Sequence, residues 1–275
     1  MSTVRNEVGA IARVRSAMAT LVPSEARVAA VIAHRPDEVV EWSTAELAQA
    51  AGTSTATVIR ACRSLGYRGF QHLRLELARS AAPAVREGDD VVSNLFDDAV
   101  DAVRLAQETV QPALVEQAAD AVRGARRLVV VSNGFSGPPV QDFAMRLSTL
   151  GRAVEAPIDP LAQQFATHSL AEGDVCFALS YSGANVQTLR ACTAAKERGA
   201  RVVVVTSYAR SPLGRIADVL VATGPIAVAH DVDPFLARLG HTVVLHALHS
   251  VLARESPAPS VPGMRDVVVD ALTED

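Results

Sequence analysis

Residues 44–63 read TAELAQAAGTSTATVIRACR, and their spacing is that of two short helices joined by a tight turn. Ala48 is small enough for two helices to cross closely, and Gly52, four residues later, lies where the turn needs a positive φ. Ser54 is placed to cap the second helix, and Val58 is placed to pack that helix back on the first. The stretch therefore predicts a helix-turn-helix that holds the outer face of its second helix clear of the domain.

The sequence on either side adds helix boundaries and no convincing strand. Residues 43–46 read STAE, a capping box that begins the first helix of the motif. Gly66 is a natural left-handed residue to end the second helix, and a further helix over 24–34 is predicted to end at Pro36. We expect residues 1–80 to form an all-helical domain.

The formal net charge of −4 is the sum of two unlike parts. Residues 1–80 contain ten arginines and seven acidic residues, a balance of +3, whereas residues 81–275 contain 16 basic and 23 acidic residues, a balance of −7. A surface that binds DNA has to neutralise phosphates, and the rest of this chain is not basic. The placement of charge favours DNA binding by the N-terminal domain; a small helical bundle with solvated arginines is the alternative.

The candidate DNA contacts lie in and just after the second helix of the motif. Hydroxyls and free amides at the start of that helix suit phosphates or base edges, and arginines three residues apart share one face that can reach guanine or the DNA backbone. The candidates are Ser54, Thr55, Thr57, Arg60, Arg63 and Arg68. One short helix makes too few base contacts for a specific operator, so we expect a homodimer or homotetramer on double-stranded DNA. The dimer surface is predicted on the helices in 91–123 and on faces of the C-terminal domain.

After Arg127 the pattern changes to short apolar runs, most of them β-branched. Strands are predicted over 128–132, 154–157, 175–180, 202–206 and 219–223, and helix-length segments separate the first four. Such strands indicate a parallel sheet covered on both faces, in a doubly wound α/β domain. We expect a linker over 81–90, this domain over 91–255 and a tail over 256–275.

Turns rich in serine and glycine follow the predicted strands. A doubly wound sheet binds ligands at the carboxyl ends of its strands, and backbone amides and hydroxyls there can hold an anion without lysine or arginine. The candidates are Ser132, Asn133, Gly134, Ser136, Ser180, Ser182, Gly183 and Asn185. Ordinary turns and caps use the same residue types, so one such loop is weak evidence. Because a third loop, Thr206-Ser207, follows another strand, a pocket is favoured.

Residues 21–77 resemble the N-terminal domain of RpiR-type transcriptional regulators. The most specific matches are ELA at 46–48, STATVIR at 54–60 and LGYRGFQHLR at 65–74. The resemblance implies a helix-turn-helix whose recognition helix contains Thr57, Val58 and Arg60.

Residues 121–222 resemble the sugar isomerase (SIS) domain, which completes the usual layout of that regulator family. The matches are S-x-S-G at 180–183, A-K-x-x-G-A at 195–200 and VVVVTSYARSPLGRIADVLV at 202–221. The resemblance implies that the hydroxyls of Ser136, Ser180 and Ser182 hold the phosphate of a phosphosugar. The chain departs from the family where Ser132 replaces the first glycine of G-x-G-x-S. It departs again where Ala184 and Asn185 replace a frequent Glu-Thr.

Composition argues against several protein classes. With 49% hydrophobic and 20% charged residues, the chain is typical of a packed globular protein. No apolar run reaches the ~18 residues of a membrane span, and the N-terminus does not read as a signal peptide. Three cysteines at unrelated spacings argue against a disulfide framework or a zinc site. We expect a cytoplasmic protein with no membrane partner and no metal.

The sequence offers no defensible set of catalytic residues. Isomerisation of a sugar phosphate needs a base near C1–C2 and stabilisation of an enediolate. The titratable residues near predicted strand ends form no recognisable pattern: His168, Glu172, His230 and Asp231. Three more fall in a helix predicted over 234–254, where capping or partly buried histidines are more common than metal ligands: His241, His246 and His249.

We therefore expect a regulator that binds DNA and a phosphorylated sugar or related anion, without a cofactor. A phosphosugar isomerase with an appended DNA-binding domain is the alternative.

Overall fold

The computed structural model describes residues 10–18, 21–81, 91–225 and 235–254, together with Val267 and Val269. The chain divides into two compact units, and the first division falls between Asn94 and Leu95. The predicted linker, 81–90, and tail, 256–275, lie outside the described residues apart from Ala81, Val267 and Val269.

The described part of the first unit is helical up to its boundary with the second. Its helices are α1 (Ala10–Ala17), α2 (Pro23–His34), α3 (Pro36–Glu41), α4 (Thr44–Ala50), α5 (Thr55–Ser64) and α6 (Phe70–Ala81). The end of α2 before Pro36 confirms the prediction, but Pro36 also begins α3, a helix that the sequence analysis missed. Proline is well suited to a first helical position because its missing N–H would have no partner there.

Helices α4 and α5 form the predicted helix-turn-helix. The Ser43 Oγ accepts a hydrogen bond from the Glu46 N–H at 3.2 Å, and the Glu46 carboxylate accepts one from the Ser43 N–H at 2.8 Å. Gly52 has a φ of +58°, as the turn requires. Ala48 and Val58 are buried where the two helices cross. Capping, turn and crossing are therefore confirmed.

The second unit is an α/β layer structure built on a four-stranded parallel sheet. The strands are β1 (Leu128–Ser132), β2 (Val175–Ser180), β3 (Arg201–Thr206) and β4 (Val219–Ala222), and they lie in the order β1-β2-β3-β4. The long helix α7 (Val91–Thr109) crosses the division between the units. The other helices are α8 (Pro112–Gly124), α9 (Gly137–Thr149), α10 (Pro160–His168), α11 (Val186–Glu197), α12 (Pro212–Ile216) and α13 (Ala237–Arg254).

Both faces of the sheet are covered, which confirms the doubly wound α/β fold. One row of paired residues packs on α8, α9 and α13: Val130, Phe177 and Val203. The adjacent row packs on α10, α11 and α12: Val129, Cys176 and Val202. Because successive side chains of a strand point to opposite faces, strands buried on both sides read as continuous apolar runs.

The prediction of a strand over 154–157 is wrong. Glu155 forms only an isolated parallel bridge to Val129, through hydrogen bonds from the Val130 N–H to the Glu155 carbonyl and from the Glu155 N–H to the Leu128 carbonyl. Pro157, two residues later, has no N–H to donate, so the ladder cannot continue there.

Within the described residues, every helix is too short or too polar to cross a lipid bilayer.

Candidate functional site

Helix α5 presents a polar outer face to solvent. Its exposed positions are Thr55, Ala56, Ile59, Arg60, Arg63 and Ser64. The N-cap Ser54 is also exposed and accepts a hydrogen bond from the Thr57 N–H at 3.2 Å. Arg68, in the turn after α5, is exposed as well. Within the part of the chain that the structure describes, Arg60, Arg63 and Arg68 form no ion pair with an acidic residue.

Thr57 differs from the other candidate DNA contacts because it is buried. Its hydroxyl lies 3.0 Å from the Ser54 Oγ and accepts a hydrogen bond from the Arg60 guanidinium at 3.0 Å. This geometry holds the Arg60 side chain near the start of α5. A direct DNA contact is therefore supported less for Thr57 than for the exposed side chains around it.

The topological switch point of the second unit lies between β1 and β2. The chain leaves β1 for α9 on one face of the sheet and leaves β2 for α11 on the other. The two strands end level, since Ser132 pairs with Leu179. The loops 132–137 and 180–185 therefore share one edge of the sheet, where a doubly wound fold forms its ligand crevice.

Three serines of these loops are buried: Ser132, Ser136 and Ser180. Within the described residues their hydroxyls make no hydrogen bond, and Ser136, at the N-cap of α9, makes no side-chain cap bond. Ser182 is half-buried, and its Oγ accepts the Ala184 N–H at 3.3 Å. A hydroxyl without a partner inside the protein is free to bond with water or a ligand, so three of them at one strand edge indicate a place for an external acceptor.

The two asparagines of the loops are occupied by contacts within the fold. The Asn133 Nδ2 donates to the Gln163 Oε1 at 3.1 Å and to the Thr188 Oγ1 at 2.9 Å. The Asn185 Oδ1 caps α11 by accepting the N–H groups of Gln187 and Thr188 at 3.1 Å. The Thr188 hydroxyl links the two side chains, because it accepts from Asn133 and donates to the Asn185 Oδ1 at 3.3 Å. A contact with an effector remains a prediction for both.

Gln163 on α10 is a residue that the sequence analysis missed. It is fully buried, and its Nε2 donates to the carbonyls of Ser132 at 2.8 Å and Pro157 at 3.0 Å. Nothing in the local sequence separates it from its neighbour Gln164, because both belong to the same short helical pattern. Its position on the buried side of α10 follows from packing against the sheet.

Two features require a glycine at position 183: its backbone conformation and the atoms packed around it. Its φ is +60°, and a Cβ added there would overlap the Ser211 side chain and lie 3.0 Å from the Thr206 Oγ1. Gly134, in the other loop, has a φ of +62° but open space around the same position. The loop after β2 is therefore built against the elements that follow β3, and it needs glycine for both reasons.

A buried cation at this edge was also missed. Arg238, on α13, is 7% exposed, and its Nε donates to the Phe135 carbonyl at 3.1 Å. Its guanidinium carbon lies 5.4 Å from the centre of the Tyr181 ring. Arg238 thus contacts both loops of the crevice. Sequence order could not reveal this, because about a hundred residues separate Arg238 from the first loop.

The titratable residues considered for catalysis lie elsewhere or are held neutral. His168 and Glu172 precede the start of β2, so they lie at the opposite edge of the sheet. His230 and Asp231 lie outside the described residues. His241 is fully buried, with its Nε2 3.0 Å from the Ser207 Oγ. Burial, and then the charge of Arg238, lower the pKa of His241 to about 3, so its ring is neutral at neutral pH.

The chain matches two family models. The helix-turn-helix domain of the rpiR family matches residues 8–84, and the SIS domain matches residues 121–249. An uncharacterised HTH-type transcriptional regulator of Caldanaerobacter subterraneus subsp. tengcongensis is 31% identical over 261 residues, which are 89% of this chain and 90% of that protein. The bifunctional protein glk of Paraburkholderia xenovorans is 30% identical over 258 residues, which are 90% of this chain and 40% of that longer protein.

The fold is shared with a solved protein structure. The Vibrio vulnificus NanR protein complexed with ManNAc-6P has a TM-score of 0.78 and 23% sequence identity. The alignment covers 97% of this chain and 100% of that one.

Proposed function

Since the chain belongs to the rpiR family of helix-turn-helix transcriptional regulators and carries a SIS domain, we propose that it reads a double-stranded DNA operator through α5. A phosphorylated sugar or related anion, bound in the loops at the carboxyl ends of β1 and β2, changes that binding. The protein acts in the cytoplasm, where both ligands are found. The observation that carries the proposal is the set of unused serine hydroxyls at the switch point.

The charge and exposure of α5 support the DNA-binding half of the proposal. Thr55, Arg60 and Arg63 lie on its solvent face, and Arg68 follows it. The N-terminal 80 residues carry a balance of +3 although the whole chain has a net charge of −4. Phosphate neutralisation needs such a local excess of cations.

The donors at the switch point support the anion-binding half. Ser136 lies at the start of α9, where backbone N–H groups and the helix dipole favour negative charge. Ser180 and Ser182 approach from the neighbouring loop. Arg238 adds a cation to a site that the sequence alone predicted to use only amides and hydroxyls. NanR, complexed with ManNAc-6P, indicates which class of compound to test first.

A regulatory role is favoured over catalysis. The loops 132–137 and 180–185 contain no acidic residue and no histidine, and His241 is buried and neutral. A sugar isomerase needs a base within reach of the substrate. The match to the SIS domain keeps an isomerase as the second candidate. Turnover of a phosphosugar by the purified chain, followed by NMR, would favour that candidate instead.

Self-association is part of the proposal, as a homodimer or homotetramer. Helix α7 exposes the large apolar side chains of Leu95, Phe96 and Val100; Phe96 is 70% exposed, and Val100 lies one turn after it. A helix with such an apolar stripe normally buries it against another surface. A second copy provides that surface and brings a second α5 to the operator.

The experiment starts from an operator selected from random duplexes with the full chain. Fluorescence anisotropy then measures operator affinity with and without hexose 6-phosphates, including N-acetylmannosamine 6-phosphate. The double variant Ser180→Ala, Ser182→Ala should keep the affinity of the unliganded wild type but lose the response to the sugar phosphate. Ser250→Ala, an exposed serine on α13, is the matched control. A double variant that still responds like the wild type would place the effector elsewhere.

A further inference from the structure

One residue on the outer face of α5 does not fit a purely ionic contact with DNA. Ile59 is 38% exposed, although its neighbours Val58, Ala61 and Cys62 are fully buried in the domain core. It is the large apolar side chain among the exposed positions of α5. Core packing accounts for the covered part of this side chain, and the exposed part is available to a partner.

The helical spacing puts Ile59 in the middle of the candidate DNA-binding face. Thr55 lies one turn before it and Arg63 one turn after it, because residues four apart are neighbours on a helix surface. Arg60 is the adjacent exposed residue in sequence. Ile59 is thus flanked on its own helix by groups that suit phosphates and base edges.

Ile59 also borders an open hollow of about 400 Å³. Besides Ile59, the hollow is lined by residues from the starts of α4 and α6 and from the turn before α6: Thr44, Arg68, Gly69, Phe70, Gln71 and His72. An occupant of this surface meets apolar atoms of Ile59 and a cation at Arg68, whereas Phe70 is 3% exposed and forms the floor of the hollow. This combination favours a partner with an anionic group for Arg68 and a small apolar group for Ile59.

We infer that Ile59 contacts the C5-methyl group of a thymine in the major groove and so determines part of the operator sequence. Thymine is the base that displays a methyl group in that groove, where apolar side chains read it. Arg60 and Arg63 are close enough along α5 to contact the neighbouring bases or phosphates. The inference rests on the proposed function, because it needs α5 to enter the groove.

The test removes the methyl group from the DNA and the side chain from the protein. In the selected operator, each thymine is replaced in turn by deoxyuridine, which lacks only the C5-methyl group. The wild-type chain should lose about fourfold in affinity at one thymine of each half-site, as expected for one methyl group returned to water. Ile59→Ala should bind the thymine and deoxyuridine operators equally at that position. Ile59→Val should keep part of the difference.

The controls separate this inference from the proposed function. Val22→Ala, an exposed apolar residue outside α5, should show the deoxyuridine profile of the wild type. If random selection enriches no duplex, the proposed DNA binding fails and the inference fails with it. If an operator is found but Ile59→Ala keeps the wild-type profile, only the inference is overturned. Loss of self-association by Ile59→Ala in sedimentation velocity, with that profile unchanged, would assign Ile59 to a protein contact instead.

Discussion

The two candidate sites of this chain are built in opposite ways. The groups proposed to read DNA belong almost entirely to one ten-residue helix and its two flanking turns. The groups proposed to hold a phosphate come from two loops nearly fifty residues apart and from α13 further on. The first site is therefore set by local sequence, and the second by the packing of separate elements around a sheet. Substitutions in the two regions should consequently change stability or binding affinity for different physical reasons.

The largest effect on stability is expected at Gly183, where both the local backbone conformation and a contact with a distant residue require glycine. Gly183→Ala puts a Cβ into the Ser211 side chain at a residue whose φ is +60°. Strain and overlap together should lower the free energy of unfolding of the second unit by about 3 kcal/mol or more. Urea unfolding followed by circular dichroism measures this loss.

Gly134→Ala is the matched control, because that glycine has a φ of +62° but no atom near the added Cβ. It should lower the free energy of unfolding by only about 1 kcal/mol, the cost of the left-handed backbone. Equal losses for the two variants would mean that the loop after β2 is not built against Ser211.

The same contrast explains how much of each region could be predicted from sequence. The capping box at Ser43 and the positive φ of Gly52 were predicted because each depends on residues within three or four positions. Four strands were predicted because burial on both faces leaves a continuous apolar run. The strand over 154–157 was wrong because apolar composition alone could not weigh Pro157. Gln163 was missed because its role arises only when α10 packs beside β1.

A second prediction concerns Arg238, the cation whose contact with the two loops could not be predicted from the sequence. Arg238→Met keeps much of the side-chain length but removes a charged donor. If it contacts the phosphate, effector affinity should fall at least about tenfold, the value expected for a hydrogen bond to a charged group. Titration calorimetry with the sugar phosphate measures the change.

Arg254→Met, on the exposed end of the same helix, should leave effector affinity unchanged. Operator affinity without effector should be the same for wild type and both variants. A loss of affinity for the uncharged parent sugar as large as that for its phosphate would instead make Arg238 a positioning residue for the loops.

The smallest effect is expected at Gly52, the turn residue of the helix-turn-helix. Its φ is +58°, and no atom lies within 4 Å of an added Cβ. Gly52→Ala therefore meets only the backbone cost and should lower the free energy of unfolding of the first unit by about 1 kcal/mol. Because that cost stays within the turn, α5 should keep its orientation, and operator affinity should change less than twofold at a temperature where the unit is folded. A large loss of affinity in a fully folded Gly52→Ala chain would show that the DNA site, too, depends on contacts beyond its own segment.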